Sequence, residues 1–421
     1  MDPHRPSLAA AQSALRATFG FADFRPGQAV IVEKVLSGAD VLAIMPTGSG
    51  KSLCYQLPAL LRDGLTVVVS PLIALMRNQV AQLERCGIAA ASLNSANDFA
   101  ENARITERLT GGALRLLYVS PERLAQGGTL ALIKRAGVGL FAVDEAHCIS
   151  QWGHAFRPEY LALGRARAEL GGVQTVAFTA TADTATRADI VGQLFGGQPT
   201  VFVHGFDRPN LRLAMQAKTA GREQIKDFVR AHRGESGIIY CGSRRKTEEI
   251  AHDLRTSGAD ARPYHAGLDP VLRARHQDMF LQQDGVVMVA TIAFGLGIDK
   301  PDVRYVLHAD LPANIESYYH EIGRAGRDGL AADTLTLYGD GDIRLRRMQI
   351  AQSGACDRQK AIDRRRLDAL LSLCESIDCR RQNLLGYFGE AAPPCGNCDI
   401  CLKARPKWWT APWRWAGLTR P

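Results

Sequence analysis

The sequence predicts an α/β protein: two doubly wound parallel sheets in tandem, followed by a small helical, cysteine-rich module. Three observations predict it. Short runs rich in valine and leucine alternate with helical patterns, twice along the chain. One strand-to-helix junction carries the glycine-rich stretch Ile44-Met45-Pro46-Thr47-Gly48-Ser49-Gly50-Lys51-Ser52. Four of the ten cysteines gather at Cys379, Cys395, Cys398 and Cys401. A chain of 421 residues has the length for two or three separate cores. The boundaries are expected at 1–205, 206–340 and 341–402, with an atypical tail at 403–421.

Composition narrows the class. A hydrophobic content of 46% and a charged content of 22% are ordinary for a globular protein. No uncharged apolar run is long enough to span a membrane, and Met1 to Ala14 lacks the apolar core of a signal peptide. The expected location is the cytosol, where cysteines stay reduced. The net charge is +8 and unevenly placed: residues 341–421 hold 15 Lys/Arg against 8 Asp/Glu. That excess favours a polyanionic partner.

In the first predicted domain, Phe19-Gly20-Phe21 and Phe24-Arg25-Pro26-Gly27-Gln28 come first. The Gln28 amide can both donate to and accept from an adenine edge, with Phe21 or Arg25 covering the ring face. Taken alone, the stretch reads as a helix cap over a buried aromatic, and the loop downstream favours the nucleotide. In that loop, backbone N–H groups and the helix dipole of the following Leu53 to Leu61 converge on one spot. Thr47, Gly48, Ser49 and Gly50 would cradle phosphates, Lys51 would reach the outer ones, and Ser52 would ligate Mg²⁺. Met45 stands where the fullest form of this motif has a glycine.

Strand-like runs follow at Thr66 to Ser70, Arg115 to Ser120, Leu140 to Val143 and Thr175 to Phe178. Ligands of doubly wound sheets sit at the carboxyl ends of such strands. There the sequence places Ser70-Pro71-Leu72, Ser120-Pro121-Glu122-Arg123, Asp144-Glu145-Ala146-His147 and Thr179-Ala180-Thr181. Asp144 would hold Mg²⁺, and Glu145 would take a proton from the attacking water. Two adjacent carboxylates ending an apolar strand are costly unless a cation or substrate uses them.

The phosphate loop, the Asp144-Glu145-Ala146-His147 sequence and Thr179-Ala180-Thr181 resemble the motor of superfamily 2 helicases. The stretch from His147 to Tyr160, with Trp152, His154, Phe156 and Arg157, is similar to the aromatic-rich loop of RecQ DNA helicases. Aromatics interleaved with an arginine suit stacking on unpaired bases. The resemblance implies two RecA-like domains, and gives those four residues the sensing of single-stranded DNA.

Phe206-Asp207-Arg208-Pro209-Asn210 reads as the linker. A second set of runs follows at Gly237 to Cys241, Val286 to Ala290, Val303 to His308 and Thr334 to Tyr338, without a phosphate loop of its own. Tyr264-His265-Ala266-Gly267 and Ala290 to Pro301 resemble RecQ motifs in kind. Tyr318-Tyr319-His320-Glu321-Ile322-Gly323-Arg324-Ala325-Gly326-Arg327-Asp328 is the other informative stretch. Arginines three apart are expected to share a helix face and to reach a transferring phosphoryl group across a cleft. The resemblance makes Arg327 the arginine finger and Arg324 its neighbour at the nucleotide. RecQ proteins usually carry Gln where His320 stands and Thr or Ser where Ile322 stands, so a polar contact is expected to be lost at Ile322.

Residues 341–378 read as basic helices with Arg364-Arg365-Arg366 among apolar positions. The spacing of Cys379, Cys395, Cys398 and Cys401 suits a tetrahedral Zn²⁺ site in a reducing compartment better than disulfides. Cys374 is an alternative ligand that is expected in a helix core. Cys395 to Cys401 and Tyr387-Phe388-Gly389-Glu390 stand as in RecQ proteins. The tail holds Trp408, Trp409, Trp413 and Trp415 and has no helical or alternating period. Tryptophan has the single codon TGG, and a shifted frame through Lys407 to Trp415 can encode Val-Val-Asp-Gly-Thr-Val-Ala-Val. The tail is therefore expected to be an out-of-frame read.

The resemblance implies a 3′-to-5′ DNA helicase of repair and recombination, using ATP, Mg²⁺ and Zn²⁺. Its partners would be single-stranded, forked or partly duplex DNA, together with DNA-repair proteins at the nucleoid. Two rivals are an RNA-dependent ATPase of the same superfamily and a DNA-stimulated ATPase that translocates or anneals strands without efficient unwinding.

Overall fold

The computed structural model describes residues 6–46, 48–126, 128–150, 157–294 and 300–403, apart from the side chains of Ala74 and Ala293. Of the expected site residues, Thr47, Trp152, His154 and Phe156 lie outside the described residues, as does the tail from 404 onward.

Two parallel sheets form the body. The first contains β1 (Val41–Ile44), β2 (Leu65–Val69), β3 (Ala90–Leu93), β4 (Leu116–Val119), β5 (Val138–Val143), β6 (Thr175–Thr179) and β7 (Thr200–Val203). Their order across the sheet is β3-β4-β2-β5-β6-β1-β7. The second contains β8 (Leu211–Ala217), β9 (Gly237–Tyr240), β10 (Ala261–Tyr264), β11 (Val287–Ala290), β12 (Tyr305–His308) and β13 (Ala332–Tyr338). Its order is β10-β11-β9-β12-β13-β8.

The nine strands expected from apolar runs are all present, with ends shifted by a residue or two. Four others, β3, β7, β8 and β10, were not expected, and each lies at the edge of a sheet. A central strand is buried on both faces and must be apolar throughout. An edge strand escapes that requirement. The alternation of buried and exposed residues along β8 and the proline in β10 are edge features.

The linker between the sheets is held on several sides. Phe206 is 2% exposed. Its ring stacks on Phe388 at 4.4 Å and meets Tyr319 edge-on at 5.9 Å. Its N–H donates to Glu390 Oε1 at 2.8 Å, and its carbonyl accepts from the Tyr319 hydroxyl at 2.9 Å. The linker of one lobe pair is thus packed between the second sheet's helix Ile315–Ile322 and the C-terminal module.

That module is built from helices Asp340–Gln352, Asp357–Glu375, Arg380–Tyr387 and Asp399–Leu402. Arg381 ties it to the linker through Asp207 Oδ1 at 2.7 Å and through the Leu211 carbonyl. Replacing Phe206 with alanine should cost about 3–5 kcal/mol, the usual loss for a buried phenylalanine, and lower the midpoint of urea unfolding accordingly.

Candidate nucleotide site and metal centre

Because β6 pairs with both β1 and β5, three carboxyl ends lie side by side. The glycine-rich turn leaves β1, Asp144 follows β5, and Thr179 to Thr181 leave β6. Gly48 and Gly50 have φ of +83° and +81°, the left-handed region that side chains avoid. A Cβ at Gly50 would stand 2.4 Å from Gln28 Nε2.

That close approach has a purpose. Gln28 Nε2 donates to the Ser49 and Gly50 carbonyls, both at 3.0 Å, and its Oε1 accepts from the Arg25 N–H at 2.8 Å. Gln28 lines the cavity but is only 2% exposed. Both amide protons thus shape the loop, and Oε1, beside its bond from Arg25, keeps a second lone pair. Arg25 Nη1 donates to the Gly48 carbonyl. Phe21 is exposed at the cavity rim, as an aromatic over a base would be. Ser49 turns its hydroxyl back to the Pro46 carbonyl at 2.7 Å. Lys51 Nζ donates to the Met45 and Pro46 carbonyls at 3.2 and 3.4 Å. Burial lowers the Lys51 pKa, while Glu145 and Asp144 pull it up.

Asp144 is 6% exposed, and its Oδ1 accepts from the Glu145 N–H at 3.0 Å. Burial, then the adjacent Glu145 carboxylate, push its pKa up to about 7 against the pull of Lys51. Glu145 has φ of +50°, the one positive value at a non-glycine residue among the described residues. Such strain costs on the order of 1 kcal/mol and gathers at functional sites.

Glu145 begins a polar chain. Its Oε2 lies 3.2 Å from His147 Nδ1 but accepts no hydrogen bond from the described residues. His147 Nδ1 is 2.8 Å from Thr179 Oγ1, whose own proton goes to the Thr181 carbonyl at 3.0 Å. Thr179 must then accept from His147, which assigns the imidazole proton to Nδ1. Burial, with the positive charges of Lys51 and Arg157, holds the His147 pKa at about 3, so the ring is neutral. The chain then crosses between lobes: Thr181 Oγ1 is 2.9 Å from His320 Nε2. Where RecQ-like sequences favour glutamine, an imidazole makes this contact. Ile322 packs into the core at 1% exposure, an apolar contact in place of the polar one.

The second lobe closes the site. A cavity of about 770 Å³ is lined by Lys51, Ser52, Asp144 and Glu145 on one side and by His320, Arg324 and Arg327 on the other. A Cβ at Gly48 would lie 3.4 Å from Arg327 Cγ and 3.3 Å from Arg208 Nη1. The expected shared helix face is corrected, because the helix stops at Ile322 and both arginines sit on the turns that follow. Gly326, with φ of +56°, turns the chain.

Arg208 holds those turns, donating to the Gly323, Ala325 and Gly326 carbonyls at 3.3, 2.8 and 2.9 Å. Asn210 adds bonds to Gly326 and Leu330 at 2.9 and 2.8 Å. Sequence reasoning took both residues for linker. Polar residues beside Pro209 are ordinary linker composition, so no local signal marked them. Arg157, expected at DNA, lines the cavity with Nη1 3.6 Å from Glu122 Oε1.

In the C-terminal module the Sγ atoms of Cys379, Cys395, Cys398 and Cys401 all lie within 4.8 Å of one another. Cys379 and Cys398 are 4.0 Å apart, close to the edge of about 3.8 Å that a tetrahedron of 2.3 Å Zn–S bonds requires. The N–H groups of Cys395, Asn397 and Cys401 donate to Cys379, Cys395 and Cys398 Sγ at 3.3, 3.3 and 3.4 Å. Such bonds support thiolate charge, so the donor set fits Zn²⁺. Cys374 is buried in the helix Asp357–Glu375, apart from the cluster.

Sequence comparison agrees with this architecture. Residues 25–190 match the DEAD/DEAH box helicase family, 220–329 the helicase conserved C-terminal domain and 340–402 the RecQ zinc-binding family. The ATP-dependent DNA helicase RecQ of Bacillus subtilis is 42% identical over 401 residues, covering 94% of this chain and 67% of that protein. The chain belongs to the RecQ family. The RecQ helicase of Haemophilus influenzae is 47% identical over 400 residues, and the chain covers 64% of its length. The chain thus spans just under two thirds of that relative. Among solved structures, the Mycobacterium smegmatis helicase Lhr bound to single-stranded DNA and AMP-PNP superposes with a TM-score of 0.62 at 22% identity. The superposition covers 89% of this chain and 58% of that one, a likeness of fold: two RecA-like lobes. None of the described helices of this RecQ family member is long and apolar enough to cross a membrane.

Two outcomes follow from this geometry. The raised Asp144 pKa means the folded state holds a proton that the unfolded chain loses near pH 4. Asp144 therefore contributes stability at low pH that is lost as pH rises through about 7. Asp144→Asn should raise the melting temperature at pH 8, without Mg²⁺ or nucleotide, with the gain shrinking toward pH 5. Elemental analysis should find one zinc per chain, and Cys398→Ala should lose it and melt at a lower temperature.

Proposed function

We propose that the chain is an ATP-dependent DNA helicase that translocates 3′ to 5′ on single-stranded DNA and opens forked duplexes. Its setting would be DNA repair and recombination, with repair proteins as partners, at the nucleoid in the cytoplasm. The observation that carries the reading is Arg327 of the second lobe packed on Gly48, across one cavity from Lys51, Asp144 and Glu145. Curated relatives of this family are named ATP-dependent DNA helicase RecQ.

ATP phosphates would displace the loop's internal bonds. Lys51 leaves the Met45 and Pro46 carbonyls for the outer phosphates, and N–H groups between Thr47 and Ser52 cradle them. Phe21 and Arg25 flank the base, and Gln28 keeps the loop in shape and offers its remaining Oε1 lone pair toward adenine. Ser52 and Asp144 are oxygen donors of the kind Mg²⁺ takes, and the bound ion would neutralise phosphate charge. Glu145 Oε2, which accepts no hydrogen bond from the described residues, receives the proton of the attacking water. Arg327 stabilises charge on the transferring phosphoryl group, with Arg324 beside it.

The chain Glu145–His147–Thr179–Thr181–His320 links this step to the position of the second lobe. Trp152, His154, Phe156 and Arg157 would stack on unpaired bases and report DNA to the site. Cys379, Cys395, Cys398 and Cys401 would hold Zn²⁺, which stabilises their module.

The test is Mg²⁺-dependent ATP hydrolysis with single-stranded DNA or RNA added, and unwinding of a forked duplex. DNA should stimulate far more than RNA. Lys51→Ala should abolish hydrolysis while leaving DNA binding largely intact. Arg327→Ala should still bind ATP but lose about 10³-fold in kcat, as arginine fingers do. DNA-linked activity that survives Lys51→Ala would sink the motor reading.

A further inference from the structure

Three parts of the chain meet at Arg366. It lies within the helix Asp357–Glu375 of the C-terminal module, with its side chain 6% exposed. Its Nη2 is 3.4 Å from Asp183 Oδ2, in the first lobe. Its Nε is 3.0 Å from Glu316 Oε1, on the second-lobe helix Ile315–Ile322. The Tyr387 hydroxyl, also in the module, donates to the same Glu316 oxygen at 2.5 Å. His147 and Thr181 of the cross-lobe chain border this junction, where only a small cavity of about 10 Å³ remains.

We propose that Arg366 is a positioning residue through which the C-terminal module sets the closed spacing of the two lobes, and with it the affinity of the cleft for nucleotide. The inference rests on the nucleotide reading of the cavity. Asp183 and Glu316 belong to different lobes, so one guanidinium reaches both only at this spacing. Opening the cleft takes one carboxylate away from a buried cation, which costs free energy and favours closure. Phe388 of the same module stacks on the linker at Phe206, so the module grips the hinge and the junction together. A nucleotide that binds only the closed form then binds more tightly by the fraction of closed molecules.

Asp183→Asn separates this role from folding. Asp183 caps the helix Thr184–Leu194 by accepting the Thr186 N–H at 2.7 Å, and asparagine caps as well as aspartate. The substitution removes the charge and spares the cap. Titration with a fluorescent ATP analogue should show roughly a two- to five-fold weaker Kd, the range for a partly exposed ion pair. The melting temperature and the kcat at saturating ATP should stay at wild-type values.

In an Arg366→Gln background the same change should add nothing. Unchanged affinity in Asp183→Asn overturns the proposal, and so does an equal loss in the Arg366→Gln background. If Arg366→Gln fails to fold, the single Asp183→Asn measurement decides. A wild-type protein that binds no analogue removes the nucleotide reading itself, and this inference with it.

Discussion

The cleft depends on the grip of Arg208 on the turns after Ile322. One guanidinium donates to three consecutive-turn carbonyls, which fixes where Arg324 and Arg327 stand relative to the linker. Without that grip, a glycine-punctuated segment would sample many conformations. With it, Arg327 is carried as part of a rigid turn onto Gly48. The linker is thus a structural part of the cavity between the lobes as well as a tether.

Charge explains why the cavity expects a ligand. Arg25, Arg208 and Arg327 crowd Gly48, and Lys51 lies below. Facing them are Asp144, forced toward its protonated form by burial, and Glu145, held in a strained backbone conformation. Neither set neutralises the other in full. Lys51 bonds to its own loop, and one Glu145 oxygen receives no hydrogen bond from the described residues. A polyanion carrying a divalent cation satisfies both sides at once. This is the usual balance in which a site sacrifices stability to be ready for its substrate.

Much of the fold was legible because burial leaves a mark on sequence. Nine strands covered on both faces announced themselves as apolar runs; of the four edge strands, β7, β8 and β10 carry partly or fully exposed residues, and β3, though buried, is only Ala-Ala-Ser-Leu. The glycine-rich turn was legible because Gly48 and Gly50 need left-handed backbone and Lys51-Ser52 follow at fixed spacing. The four cysteines were legible because metal geometry limits their separation. One local reading failed for a local reason. A three-residue spacing suggested that Arg324 and Arg327 share a helix face, but Gly323 and Gly326 end the helix before them. The sequence did not show the other task of Gln28, which donates to the loop's own carbonyls.

By itself, the sequence determined which residue types must exist: a glycine turn with its lysine, paired carboxylates at a strand end, two arginines far downstream, and four thiols. Each is set by short-range chemistry, since backbone sterics, strand burial and ligand count act over a few residues. Only the tertiary structure decided which of them meet. The contacts of Arg208 with the arginine turns, of His320 with Thr181, and of Arg366 with Asp183 and Glu316 join residues fifty or more apart in sequence. Such pairings leave no periodicity to read, because they are fixed by how two sheets and a small helical module pack around one linker.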